Sequence, residues 1–132
     1  MKTSPTQRSL KLLRERGWLC EVVERWNPHA KVRKDLFNVI DIVALSSETI
    51  IGVQTTTVSN MAARRAKILA EPAVKRWLRA GGQISLHGWV KAGPRGKPKT
   101  WQVREEFFAY DPPVVEPKRP RIDLDAIHGF AQ

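Results

Sequence analysis

Two stretches dense in β-branched and aliphatic residues, Phe37 to Leu45 and Thr49 to Thr57, are separated only by Ser46-Ser47-Glu48. A three-residue connection is too short for a crossover, so the stretches pair antiparallel as a hairpin. That hairpin commits the chain to a sheet, and the next segment decides what covers it. Met61 to Ala70 is alanine-rich, with Ala62, Ala66 and Leu69 recurring at helical spacing behind Ser59 or Asn60 as N-cap. Glu71-Pro72 interrupts the pattern, a shorter helix runs from Ala73 to Ala80, and Gly81-Gly82 stops it. Gln83 to Lys91 alternates as a half-buried strand with His87 and Trp89 on its solvent side. Thr100 to Tyr110 returns beside it after the basic loop Gly93 to Lys99.

Upstream, Ser4-Pro5-Thr6-Gln7 is a helix start with Ser4 as N-cap and Pro5 at the first helical position; Gly17 offers the stop, giving a helix from about Pro5 to Arg16. Trp18 to Trp26 reads as a strand leading into a basic loop, Lys31 to Lys34, and Trp18, Trp26 and Trp77 read as core. The order is α-β-β-β-α-β-β. The fold class expected is α/β, with a mixed, mostly antiparallel central sheet flanked by helices. One domain spans residues 1–110, and residues 111–132, with Pro112, Pro113, Pro117 and Pro120, form an extension with no core of its own.

Charge is distributed unevenly. The net charge of +10 comes from two basic wings, residues 1–34 at +6 and 64–104 at +10, around a centre, 35–63, at −3; residues 105–132 add −3. Such a balance points to a polyanion, and nucleic acid leads the possibilities. No apolar run reaches the roughly 18 residues of a membrane span. The lone Cys20 rules out an internal disulfide and a thiolate-rich zinc site. A cytoplasmic protein is expected.

Within the acidic centre, Asp41 interrupts Val39-Ile40-Asp41-Ile42-Val43, a run that otherwise reads as core strand. Burying an uncompensated carboxylate costs several kcal/mol, so a cation, a metal or a base such as Arg33 or Lys34 is expected to meet it. Gln54 and Thr56 are polar within the next strand, and period-two alternation places them on one face that the hairpin brings towards Asp41. Oxygen donors of this kind suit Mg²⁺ or Mn²⁺, with Asp41 and Gln54 as ligands.

These residues and the element order resemble the PD-(D/E)xK restriction-endonuclease-like superfamily over roughly residues 4–110. The likeness is to its small Holliday-junction-resolvase-like and Mrr-type members. The resemblance implies a metal-dependent DNA endonuclease, acting as a homodimer, with branched DNA among its expected substrates. Asp41 matches the motif aspartate, Gln54 stands for the glutamate and Thr56 for the lysine. A threonine cannot supply the motif's cation. Lys67 is the first candidate to replace it, with Lys31 or Lys34 as others, and the helix-one glutamate of such members is met here only by Gln7 or Glu15. Arg33, Lys34, Arg64, Arg65, Lys97 and Lys99 would hold the phosphate backbone, with Trp101 beside the last two.

Two other classes stay open: a catalytically degenerate DNA-binding module of the same fold, and an assembly protein that docks through residues 111–132. His87 reads as a surface or boundary histidine, and no serine sits in a pattern suited to acyl transfer.

Overall fold

The computed structural model describes residues 3–110, so the proline-rich extension lies outside the described residues. Helix α1 runs over Pro5–Glu15, and Ser4 Oγ accepts the Gln7 N–H at 3.2 Å as its cap. Strands β1 (Leu19–Val22), β4 (Ile42–Leu45), β5 (Ile50–Thr57), β6 (Gln83–Ala92) and β7 (Thr100–Phe108) build a five-stranded sheet in the order β1-β4-β5-β6-β7. A separate ribbon, β2 (Arg25–Asn27) with β3 (Val32–Lys34), is inserted between β1 and β4. All neighbours in the large sheet are antiparallel except β5 and β6, which run parallel across the crossover α2 (Met61–Ala70) and α3 (Pro72–Arg79). The α/β class and the mixed sheet are as the sequence indicates.

Several local expectations are corrected. Trp18–Trp26 is not one strand but two: the chain leaves the sheet after Val22 and turns into the ribbon, leaving Trp26 59% exposed rather than in the core. The basic loop is strand β3. Helix α2 turns Met61 and Ile68 inward, while Ala62, Ala66 and Leu69 are exposed. A pair of residues seven apart outweighs the alanine stripe because large side chains bury far more apolar area. Strand β6 lies inside the sheet between β5 and β7, with α1 over one face and α2 and α3 over the other, so it is covered on both faces. His87 and Trp89, expected on a solvent side, are therefore buried beneath α1.

The core has two halves. Leu10, Leu13, Cys20, Ile42, Ala44, Ile51 and Val53 pack beneath α1. Val39, Ile40, Met61, Ile68, Val74, Ile84 and Leu86 pack beneath α2 and α3. Gly52 joins the second half to the chain before β4: a Cβ there would sit 2.6 Å from Ile40 Cδ1, so only glycine lets that segment lie against β5.

Candidate metal centre

The stretch expected as a strand from Phe37 is a tight turn, and β4 begins only at Ile42. Phe37 and Asn38 take positive φ values of 52° and 66°, an uncommon state for a phenylalanine, and Leu36 bridges Ile40 across the turn. Carrying that antiparallel pairing one step outward sets Asp35 opposite Asp41. The ribbon register, Arg25 with Lys34, carried one step sets Glu24 opposite Asp35. Two short turns thus deliver three carboxylates to one place, and one oxygen from each of Glu24, Asp35 and Asp41 lies within 4.8 Å of the others.

Asp41 is 3% exposed and fixed by its backbone as well as its side chain. Its N–H donates to Val53 O at 2.8 Å, and its carbonyl accepts from Val23 N at 2.8 Å. Ile42 also pairs with Val53, so the β4–β5 pairing shifts by one residue at Asp41, an irregularity of the bulge type that re-aims side chains. The carboxylate takes up what the shift leaves over. Oδ2 accepts the Thr55 N–H at 2.8 Å, the Thr55 hydroxyl at 3.2 Å and Gln54 Nε2 at 2.9 Å.

Asp41 and Gln54 therefore meet, as the alternation indicates. The threonine that reaches Asp41 is Thr55 rather than Thr56; Thr55 also shares a hydrogen bond of 2.8 Å with the Thr6 hydroxyl on α1. Thr56 is buried two residues on from Gln54 in β5. Lys67 does reach the centre: its Nζ stands 3.7 Å from Asp35 Oδ2. Lys31 and Lys34 are exposed on the ribbon. Arg33 pairs with Glu24 at 2.9 Å, so it meets the cluster at its edge and not at Asp41.

Glu24 and Asp35 each face a cation, Arg33 and Lys67, whereas the buried Asp41 has none among the described residues. Burial, followed by a hydrogen bond with the Asp35 carboxyl, pushes Asp41 up to about 8, although the Thr55 N–H works the other way. A carboxyl this close to another, and this deeply buried, ionises at a cost, so Asp41 keeps its proton into the neutral range. Gln54 is 1% exposed, and its Oε1 has no partner, while its Nε2 faces Asp41. A buried amide oxygen without a donor costs roughly 1–3 kcal/mol. Rotating the amide would set that oxygen beside Asp41, which is favourable around a shared cation or when the carboxyl's own proton is donated to it. Three carboxylates and an amide oxygen form a hard-oxygen donor set suited to a divalent ion. The other buried orphan among the described residues, Ser85 Oγ, is a lone neutral hydroxyl on β6.

Glu24 and Asp35 escaped sequence reasoning because each precedes or follows a strand end, where no interrupted apolar run marks it. The signal available was the spacing of Asp35 and Asp41 about a turn containing Asn38. Of the proposed backbone-holding bases, Arg65 is committed to a two-point pair with Glu106. Lys34, Lys97 and Lys99 are exposed and outside any ion pair among the described residues, and Arg64 is half-buried on α2. Compared with protein-family models, curated proteins and solved structures, the chain gives no match.

Proposed function

We propose that the chain is a divalent-metal-dependent endonuclease acting on DNA, a degenerate relative of the PD-(D/E)xK superfamily. The observation that carries this reading is the convergence of Glu24, Asp35, Asp41 and the orphaned Gln54 amide, with Lys67 at the edge. An Mg²⁺ or Mn²⁺ ion held there would supply Lewis acidity to a phosphodiester and a more acidic water.

The chain's own groups do the remainder. Asp41 gains negative charge once its proton leaves, Asp35 and Glu24 add carboxylate oxygens, and Gln54 contributes a neutral oxygen. Lys67 offers the cation that Thr56 cannot, placed to offset charge growing on phosphate. Thr55 fixes the Asp41 carboxylate through two hydrogen bonds. Lys34, Arg64, Lys97 and Lys99 attract the backbone. Support for the superfamily comes from the order of the large sheet: a helix, three antiparallel strands, a helical crossover and a parallel fourth strand.

The test incubates wild type and Asp41→Ala with duplex, branched and single-stranded DNA, in manganese and in chelator. Cutting that needs the metal and is lost in the variant is the expected result. Salt-sensitive binding without cutting under any divalent ion would instead make the chain a binding module, and no binding at low salt would end both readings.

A further inference from the structure

On the α1 side of the sheet, a second feature has no part in the metal centre. Trp101, at the start of β7, is 43% exposed, and the Arg8 guanidinium from α1 lies 3.5 Å from the centre of its ring. Lys91, its register partner on β6, brings Nζ to 5.6 Å. A groove of about 350 Å³ runs beside them, lined by Gln7, Arg8, Lys11, Glu15, Trp89 and Trp101 among others, with Lys11 and Glu15 paired at 4.0 Å at its edge. From Lys91 to Arg104 the sequence has five bases and no acid. Among the described residues, none of Arg8, Lys91, Arg95, Lys97 and Lys99 forms an ion pair, whereas Arg16, Arg33, Arg65 and Lys67 all do. Cations left over on one surface, around an aromatic ring held flat by a guanidinium, are the two elements that bind a polyanion made of flat rings.

We infer that this strip binds an unpaired stretch of DNA, with a base stacking on the Trp101–Arg8 pair and phosphates following Lys91 and the loop bases Arg95, Lys97 and Lys99. A paired base shows only its edge, so a stacking surface selects unpaired strand over duplex. The strip and the metal centre are linked through the chain itself. Thr6, two residues before Arg8, bonds to Thr55, which bonds to Asp41; β6 pairs Trp89 with Thr57, the last residue of β5, before running on to Lys91. This deepens the nuclease reading and rests on it only for the fate of the bound strand: the substrate class becomes duplex with a single-stranded arm.

The experiment measures fluorescence anisotropy of labelled oligo(dT) and of a blunt hairpin duplex, in chelator so that no cutting intervenes. The proteins are wild type, Trp101→Ala, Trp101→Phe and Arg8→Ala, each checked for an unchanged melting temperature. Trp101→Ala is expected to weaken oligo(dT) binding about 5- to 100-fold, with Phe restoring most of it and the duplex shifting less than about threefold. Equal losses on both DNAs, no loss on either, or competition by polyglutamate as effective as by oligo(dT) would overturn the inference. A parallel cleavage assay in manganese compares blunt and single-arm duplexes. Cutting of both with equal efficiency refutes the strip while sparing the nuclease reading; no cutting of either refutes the nuclease reading while the binding result stands.

Discussion

The two faces of the sheet each bury a polar constellation, and they are built on opposite terms. Under α1, Trp89 Nε1 donates to Ser9 Oγ at 2.8 Å, Ser9 Oγ meets His87 Nδ1 at 2.9 Å, and His87 Nε2 meets Glu105 at 3.2 Å. Arg16 closes the chain on Glu105 at 2.6 Å. Serine, histidine and carboxylate invite comparison with a hydrolase triad, yet Ser9 is wholly buried and already serves two partners. Every polar atom of that chain has a complement. At Asp41 the reverse holds: carboxyl faces carboxyl and an amide oxygen faces nothing. Satisfied polar groups hold a fold together, whereas a buried carboxyl facing another carboxyl beside an unpartnered amide oxygen leaves a place for a visitor.

If that distinction is right, the largest effects come from the carboxylates. Glu24→Gln and Asp35→Asn are each expected to lower metal-dependent cleavage by more than about 100-fold, beyond what changes around a metal's ligands usually cost. Metal titration followed by calorimetry should weaken in parallel. Wild-type affinity in either variant would remove that residue from the site. Lys67→Ala comes next: cleavage is expected to fall about 10- to 100-fold while calorimetric metal affinity holds or rises, since a neighbouring cation opposes a second one. Lys67→Arg should recover part of the rate.

The other face should respond in stability alone. Ser9→Ala strands both Trp89 Nε1 and His87 Nδ1, and a loss of about 1–3 kcal/mol in denaturant unfolding is expected, with cleavage at permissive temperature retained. A collapse of cleavage in a folded Ser9→Ala protein would mean that the α1 network is part of the chemistry after all.

How much of this was legible in the sequence follows the same division. Asp41 and Gln54 could be found because a charge or an amide inside an apolar run is costly, and cost is readable from composition along a strand. The β4–β5 hairpin, the Ser4 cap and the α2 limits were readable for similar local reasons. Glu24 and Asp35 were not, because they arrive through two turns whose registers depend on Phe37 and Asn38 adopting positive φ, and nothing about a phenylalanine announces that. Thr55 rather than Thr56 reaches Asp41 because the pairing shifts at the bulge, and alternation assumes no shift. His87 and Trp89 were misplaced for want of one fact: α1 packs over the second face of β6, so both of its faces are interior.

The two constellations also respond to pH with opposite sign, which yields the smallest but most direct comparison. Burial holds His87 down at about 4, against the pull of Glu105. Between that value and roughly 6.5 the unfolded chain takes up a proton that the folded chain refuses, so this face gains stability as pH rises through the interval. Asp41, pushed up to about 8, keeps a proton in the folded protein that the unfolded chain releases near 4, so its face loses stability as pH rises from there to about 8. The two oppose each other below 6.5, and above it Asp41 acts alone. Metal-free protein is therefore expected to lose on the order of 1 kcal/mol of unfolding free energy between pH 6.5 and 8, and Asp41→Asn to lose none over that span. Adding Mg²⁺ should raise the melting temperature more at pH 8 than at pH 6, because the ion takes the place of the Asp41 proton and competes with it less once protons are scarce. A stabilisation by Mg²⁺ that is independent of pH would place the ion somewhere other than between Asp35 and Asp41.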